Sequence, residues 1–301
     1  MDHLNIGENI KKFRCFAGLT QFDLAEGICS QAQISKIESG NGVPSSYLLM
    51  EIARKLDVDP IELMTSLDDN KGDELVDNIS ILVKKRNYLE AFETIKILKR
   101  TSDASNKKLY QYLMWQESIC SFYLDKNSKK SLRLLKKAFD ITDKRTAFYS
   151  EVQIEILIST ANIYAEIKNF EKSIEYFNLV LFSLENKHFR HNPNLLIKAY
   201  YGISKSLSLN SEYSQAIFYC ELGIQLCLNK DILYLLGELF YEKGCNLYYV
   251  SKKEEGLNCI NKAIEIFEVK ENFEYIRFIE SQLELIGYKR SQSLDKHIIS
   301  S

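Results

Sequence analysis

From residue 73 to residue 192 the chain holds neither glycine nor proline. A sheet built of short strands needs turn residues at regular intervals, and glycine, proline, asparagine and aspartate supply them. A stretch this long without the first two excludes a turn-rich β architecture and favours long helices joined by polar corners. With 46% hydrophobic residues in a chain of 301, there is apolar side chain enough to build a core. The fold class expected is therefore all-α.

A repeat runs through that stretch and beyond it. Corner sequences recur as Asn87-Tyr-Leu-Glu-Ala91, Ser128-Lys-Lys-Ser131, Asn169-Phe-Glu-Lys-Ser173, Glu212-Tyr-Ser-Gln-Ala216 and Lys253-Glu-Glu-Gly256. The small residue opening each second helix falls at 91, 131, 173, 216 and 256, spacings of 40, 42, 43 and 40. Trp115-x-x-Ser-Ile-x-x-Phe122, Leu157-x-x-Thr-Ala-x-x-Tyr164 and Phe240-x-x-Lys-Gly-x-x-Leu247 echo the tetratricopeptide pattern. Five degenerate tetratricopeptide repeats, stacked as a right-handed superhelix, are expected, with the first helix of each pair lining the concave face. Registering the repeats puts Ser80, Val83 and Lys84, Gln116, Cys120 and Tyr123, Ile158 and Asn162, Lys198, Tyr201 and Lys205, and Glu238, Tyr241, Cys245 and Tyr248 on that face. Asparagine, tyrosine and lysine there can bond the backbone and ends of an extended peptide. The many phenylalanines and tyrosines otherwise read as core.

The first 66 residues follow a different pattern. Five helices are expected, beginning with one over about Ile6–Phe16 whose Ile6, Ile10 and Phe13 share a face. Thr20 caps the second helix, with Asp23 completing a capping box. Ser30 caps the third, with Gln33 at its N3 position, and Gly40 ends it. Ser45 starts a fourth, and Asp59-Pro60-Ile61-Glu62 opens a short fifth. Two short helices joined by a tight turn are what a helix-turn-helix needs to seat one helix in a DNA major groove. Packing leaves Gln31, Ala32, Gln33, Ser35 and Lys36 of the third helix free. Glutamine can pair with adenine, while serine and lysine reach bases or phosphates. Ser30 stands at the same edge, Gln21 at a helix start suited to a phosphate, and Lys11, Lys12 and Arg14 offer backbone contacts. Against this, residues 1–66 carry six lysines and arginines and nine carboxylates. A head this acidic is expected to bind well only as a homodimer, since phosphate neutralisation supplies much of such affinity.

The rest of the inventory is negative. The seven cysteines form no C-x-x-C and are odd in number, there is no secretory leader, and no apolar run reaches a membrane span of about 18 residues. A cytoplasmic protein with free thiols and no membrane contact is expected. No nucleophile elbow, phosphate loop or H-E-x-x-H motif occurs. His188 and His191 have the spacing of half a metal site but no clustered partners. No catalytic residue, cofactor or metal is expected, and an enzyme reading fails.

The head resembles the lambda-repressor-like, XRE-type helix-turn-helix family through Ile10-Lys-Lys-Phe-Arg14, Gly18-Leu-Thr-Gln21, Leu24-Ala25, Ile34-Ser-Lys-Ile-Glu-Ser-Gly40, Pro44 and Ile52-Ala-Arg-Lys-Leu56. Head and body together, with Ala161-Asn-Ile-Tyr-Ala-Glu166, resemble the RRNPP family of Gram-positive quorum-sensing regulators, in its PlcR-like form. The resemblance implies a peptide-responsive transcription regulator, an activator, that binds a palindromic double-stranded DNA operator as a homodimer. It also implies a short re-imported signalling peptide in the concave groove. Positions matching the family's peptide contacts are Lys84, Arg86, Ile158, Gly202, Glu238 and Tyr275. Asn162, Tyr201, Lys205 and Tyr241 join them from the register of the repeats. Ile158 and Gly202 lack a polar side chain, which implies a different peptide. The alternative is a repressor whose repeats dock a protein. The expected division is a DNA-binding domain over 1–66, a linker over 67–76, its polar core Leu67–Asp73, and a peptide-sensing and dimerisation domain over 77–301.

Overall fold

The computed structural model describes residues 6–64, 70–101, 106–142, 149–184 and 192–285. All regular structure among them is helical. The chain divides into two compact units, Met1–Lys84 and Lys85–Ser301.

In the first unit, α1 (Ile6–Phe16), α2 (Gln21–Ala25), α3 (Gln31–Glu38), α4 (Ser46–Leu56) and α5 (Pro60–Met64) surround one core. Ile10, Leu24, Ile34, Ile52 and Leu63 are fully buried in it. The starts follow capping chemistry. Thr20 accepts the Asp23 amide while Asp23 accepts the Thr20 amide, and Ser30 and Ser45 accept the amides of Gln33 and Leu48. Each cap satisfies donors that the first helical turn leaves unpaired. Next comes α6 (Asn70–Lys84), so the chain is already helical within the stretch read above as linker.

The second unit opens with α7 (Tyr88–Thr101) and continues through α8 (Lys107–Asp125), α9 (Ser128–Asp140), α10 (Glu151–Glu166), α11 (Phe170–Leu184), α12 (Pro193–Leu209), α13 (Tyr213–Asn229), α14 (Leu236–Tyr249), α15 (Lys253–Val269) and α16 (Phe273–Leu285). These pack mainly against their sequence neighbours, and α8, α10, α12 and α14 also touch in succession. This is the helical-repeat superhelix expected.

The corners have a common construction. Arg86, Lys126, Lys168, Ser211, Ser251 and Glu271 each adopt left-handed φ, between 53° and 66°, two residues before a helix begins. In four of these corners the next amide reaches back to a carbonyl in the last turn, as in Asn169 to Tyr164 and Asn272 to Phe267. That 6→1 bond closes the helix end. Asn127, Asn169 and Asn272 then use their side chains to accept an amide of the following helix. In the first five of these corners the fourth residue of the next helix is the small one seen in sequence. Ala91, Ser131, Ser173 and Ala216 are wholly buried, and Gly256 comes close enough to α14 that an added Cβ would sit 2.7 Å from the Gly244 carbonyl oxygen. Small side chains there let paired helices approach.

Candidate functional site

In the N-terminal unit, Ile34 and Ile37 pin α3 to the core and turn its other faces outward. Gln31, Ala32, Gln33, Ser35 and Lys36 are all exposed, as is Ser30, whose hydroxyl caps the helix. Ser30, Ala32, Gln33, Lys36, Ile37, Gly42 and Val43 line a shallow open depression of about 520 Å³. Val43 is 81% exposed. It follows the helix instead of belonging to it, so periodicity gives no reason to single it out. Lys11 is exposed on α1.

Arg14 has a different use from the backbone contact expected of it. Its Nε and Nη2 donate to Glu38 Oε1 and Oε2 at 2.6 and 3.0 Å, and its Nη1 to the Leu19 carbonyl at 2.7 Å. The two side chains are 11% and 3% exposed, so the guanidinium faces the interior. Gln21 Nε2 donates to the same carboxylate at 2.8 Å, which fixes that side chain and leaves its second N–H free. Burial works to raise the Glu38 pKa, but the bonds from Arg14 and Gln21 outweigh it and hold the carboxyl below its ordinary value.

In the C-terminal unit, α12, α14 and α16 bring together Tyr201, Lys205, Glu238, Tyr241 and Tyr275. The Tyr201 and Tyr275 hydroxyls interact directly, and burial pushes both phenols up, Tyr275 to about 12. The Tyr241 ring meets Tyr275 and Phe278 edge-on at 6.1 and 5.9 Å. Lys205 lies 6.0 Å from the centre of the Tyr201 ring. Glu238 Oε2 has Lys270 Nζ at 3.7 Å but no hydrogen bond. Glu242, one turn further along α14, is also in the cluster. Burial raises its pKa, while Asn246, Lys205 and Ser208 act against that rise. Its position four residues after Glu238 is the signal that sequence reading could have used. The result is a cluster of tyrosines with carboxylates on α14 and a lysine at its edge, a set of groups that can meet polar and aromatic parts of a ligand together.

Along the same wall, Trp115 Nε1 donates to Ser159 Oγ at 2.8 Å and Lys198 Nζ to Glu155 Oε1 at 2.5 Å, tying α8 to α10 and α10 to α12. Asn162 is exposed on α10. Arg86 occupies the left-handed corner before α7, beside the stacked rings of Tyr88 and Tyr123, 4.4 Å apart. Lys84 ends α6, in the first unit.

Two groove positions are displaced inward. Ile158 is 2% exposed in the core with Phe177 and Leu181. Gly202 lies under the Phe177 ring, where a Cβ would sit 2.2 Å from Cζ. Its lack of a side chain therefore serves packing against α11. Gln116 and Cys120 are buried likewise. The physical reason is that α8 and α10 are flanked on both sides by other helices and are apolar over most of their circumference. A 3.6-residue period cannot then separate the concave face from the contact faces.

All seven cysteines are free, and burial raises Cys120 and Cys245 to about 12, well out of the thiolate range. Among the described residues no group of three histidine, cysteine or carboxylate side chains could hold a metal, and no helix is long and apolar enough to cross a membrane. His3, His188, His191 and His297 lie outside the described residues.

Residues 76–283 match the RNPP family C-terminal domain, and residues 10–63 match a helix-turn-helix family. The chain therefore belongs to the RNPP (RRNPP) family, whose members are transcription regulators and not enzymes. Among solved structures it is similar to PlcR of Bacillus thuringiensis in complex with the peptide PapR7 and DNA. That similarity has 27% identity and a TM-score of 0.81, and covers 92% of this chain and 99% of that one. The apo form of PlcR matches with 24% identity and a TM-score of 0.66, over 92% and 98% of the two chains. ComR of S. thermophilus, in complex with DNA and its signalling peptide ComS, shares the fold at 17% identity and a TM-score of 0.63, over 94% and 100%. No curated protein sequence matches.

Proposed function

We propose that this chain is a peptide-responsive transcription activator of the cytoplasm, binding a two-fold symmetric operator as a homodimer and a short signalling peptide in the repeat domain. The observation that carries the reading is the pairing, in one chain, of an α3 that exposes Gln31, Gln33, Ser35 and Lys36 with a tyrosine-rich cluster built by α12, α14 and α16. PlcR at 27% identity, held with both a peptide and DNA, supports it. In this reading Gln31, Gln33, Ser35 and Lys36 meet base edges. Ser30, Lys11 and the second N–H of Gln21 meet phosphates. Val43 is placed to meet a thymine methyl. Tyr201, Lys205, Glu238, Tyr241 and Tyr275, with Asn162, contact the peptide. Arg86 takes a peptide carboxylate by a charge-assisted bond.

The test is calorimetry of the full chain with the peptide encoded in the short open reading frame beside its gene. A dissociation constant of about micromolar or tighter is expected, weakened at least about tenfold by Tyr275→Ala, which corresponds to about 1.4 kcal/mol. No heat, for that peptide or for a library of short peptides, would replace this reading with a repressor whose repeats dock a protein.

A further inference from the structure

The α9 sequence Ser128-Lys-Lys-Ser-Leu-Arg-Leu-Leu-Lys-Lys-Ala-Phe-Asp140 is the most strongly charged helix face of the described residues. Ser131, Leu135 and Ala138 bury one side of it. The opposite side carries Lys129, Arg133, Lys136 and Lys137, all exposed. At spacings of three, four and seven residues these four follow one face. Lys130, beside them, is paired with Asp125 at 2.8 Å. Among the described residues no carboxylate forms an ion pair with Lys129, Arg133, Lys136 or Lys137, and no ring takes their charge. Elsewhere in the repeats several lysines are engaged, as Lys198 with Glu155, Lys243 with Glu221 and Lys172 over Tyr164.

Four cations on one face with no partner among the described residues repel one another, and that costs stability unless an anion relieves it. The helix-turn-helix head shows the complementary deficit. Of its six cations, Arg14 is committed to Glu38, Arg54 to Glu51 at 2.9 Å, and Lys55 to the Glu26 carbonyl at 2.6 Å. Lys11, Lys12 and Lys36 remain, against nine carboxylates in residues 1–66. Sequence-independent affinity for DNA comes from lysine and arginine displacing counterions from phosphates. The head is poor in that currency and α9 is rich in it.

We propose that the exposed face of α9 is a second, sequence-independent contact for the phosphate backbone of duplex DNA. It reads no bases. It rests on the reading of the head as a DNA-binding domain, and it adds electrostatic affinity that the head lacks. An acidic protein surface is the competing occupant. Duplex phosphate is favoured because it presents a regular line of charges to a regular line of cations, and because the chain's family function brings DNA to it.

The experiment measures binding of the full chain to an operator duplex and to a scrambled duplex by fluorescence anisotropy, between about 50 and 300 mM salt. The variant Lys129→Gln, Arg133→Gln, Lys136→Gln, Lys137→Gln is compared with the parent. The logarithmic salt slope should fall by about 0.9 for each cation that meets a phosphate. Affinity for both duplexes should drop in parallel, leaving their ratio unchanged. A set retaining charge (Lys129→Arg, Lys136→Arg, Lys137→Arg) should restore the slope, and an unchanged thermal melt shows that the glutamine variant folds. An unchanged slope overturns the proposal. So does an unchanged slope with lost binding to poly-glutamate, which would assign the face to an acidic protein. Failure of the head as the base-reading element appears differently, as a parent with equal affinity for the two duplexes.

Discussion

At the scale of single residues, Gln33 and Lys36 are the sharpest test of the DNA-facing surface, because both are exposed and their side chains bond no other among the described residues. Gln33→Ala or Lys36→Ala should weaken operator binding by about 1–3 kcal/mol where the contact is a good one. Both should relax discrimination among operator variants, while Lys11→Ala, at a phosphate, should lower the salt slope by about one. Gel-shift titrations showing both at parental affinity would remove α3 from recognition. Arg14 and Glu38 give a stability prediction instead. Removing one member of a buried pair leaves the other charge uncompensated, so Arg14→Ala should cost the head about 3–5 kcal/mol. The pH dependence follows from the lowered Glu38 pKa. Its contribution is complete above the ordinary glutamate value of about 4.3 and is lost as pH falls through the lowered folded-state value. The melting temperature should therefore fall on acidification below about pH 4, and Glu38→Gln should flatten that part of the profile. An equally steep decline in the variant would place the acid sensitivity on other carboxylates.

Among elements, the helix starts were legible because caps are written in local sequence. Thr20 with Asp23, Ser30 and Ser45 sit where their chemistry says. So do the repeat corners, whose small residues at 91, 131, 173, 216 and 256 become the fourth residue of α7, α9, α11, α13 and α15. What was not legible is which side of a first helix faces the groove. Ile158 and Gly202 went to the core since α10 and α12 bury more than one face. The Arg14 fork was hidden for another reason: its partner lies 24 residues away, beyond any local pattern. Glycine marks close helix contacts in the repeats. A Cβ at Gly244 would meet the Gly256 carbonyl oxygen at 2.7 Å and Ile260 Cγ1 at 2.6 Å. Backbone cannot swing aside as a ring can. Gly244→Ala should destabilise the repeat unit by at least about 1–3 kcal/mol, as overpacking does. Gly202→Ala, where the clash is with the Phe177 ring, should cost less. Urea titration of the two variants compares them, and a Gly244→Ala midpoint equal to the parent's would show that α14 and α15 separate freely.

For the whole molecule, regulation requires that peptide and operator affinities depend on each other. Linkage makes the dependence reciprocal. If peptide tightens operator binding by some factor, operator must tighten peptide binding by the same factor, and a coupling of about 1–3 kcal/mol is typical. Calorimetry of the peptide with and without operator duplex, set beside anisotropy of the operator with and without peptide, should return equal factors. Two independent sites, each with unchanged affinity, would leave a DNA binder and a peptide binder sharing one chain without regulation.

The meeting of the Tyr201 and Tyr275 hydroxyls has a mechanical side. The other contacts described in the repeats run from one helix to the next, or skip a single helix, as Lys198 to Glu155 and Trp115 to Ser159 do. This one joins α12 to α16 across three intervening helices, as a string joins the two ends of a bow. A ligand entering between the two hydroxyls would lengthen the string, and the bow would be expected to open. The displacement is shared among the joints on either side of α13, α14 and α15, so each turns only slightly while the ends move visibly. A bow also works in reverse: bending its limbs from outside draws or slackens the string, and with it the fit of anything held there.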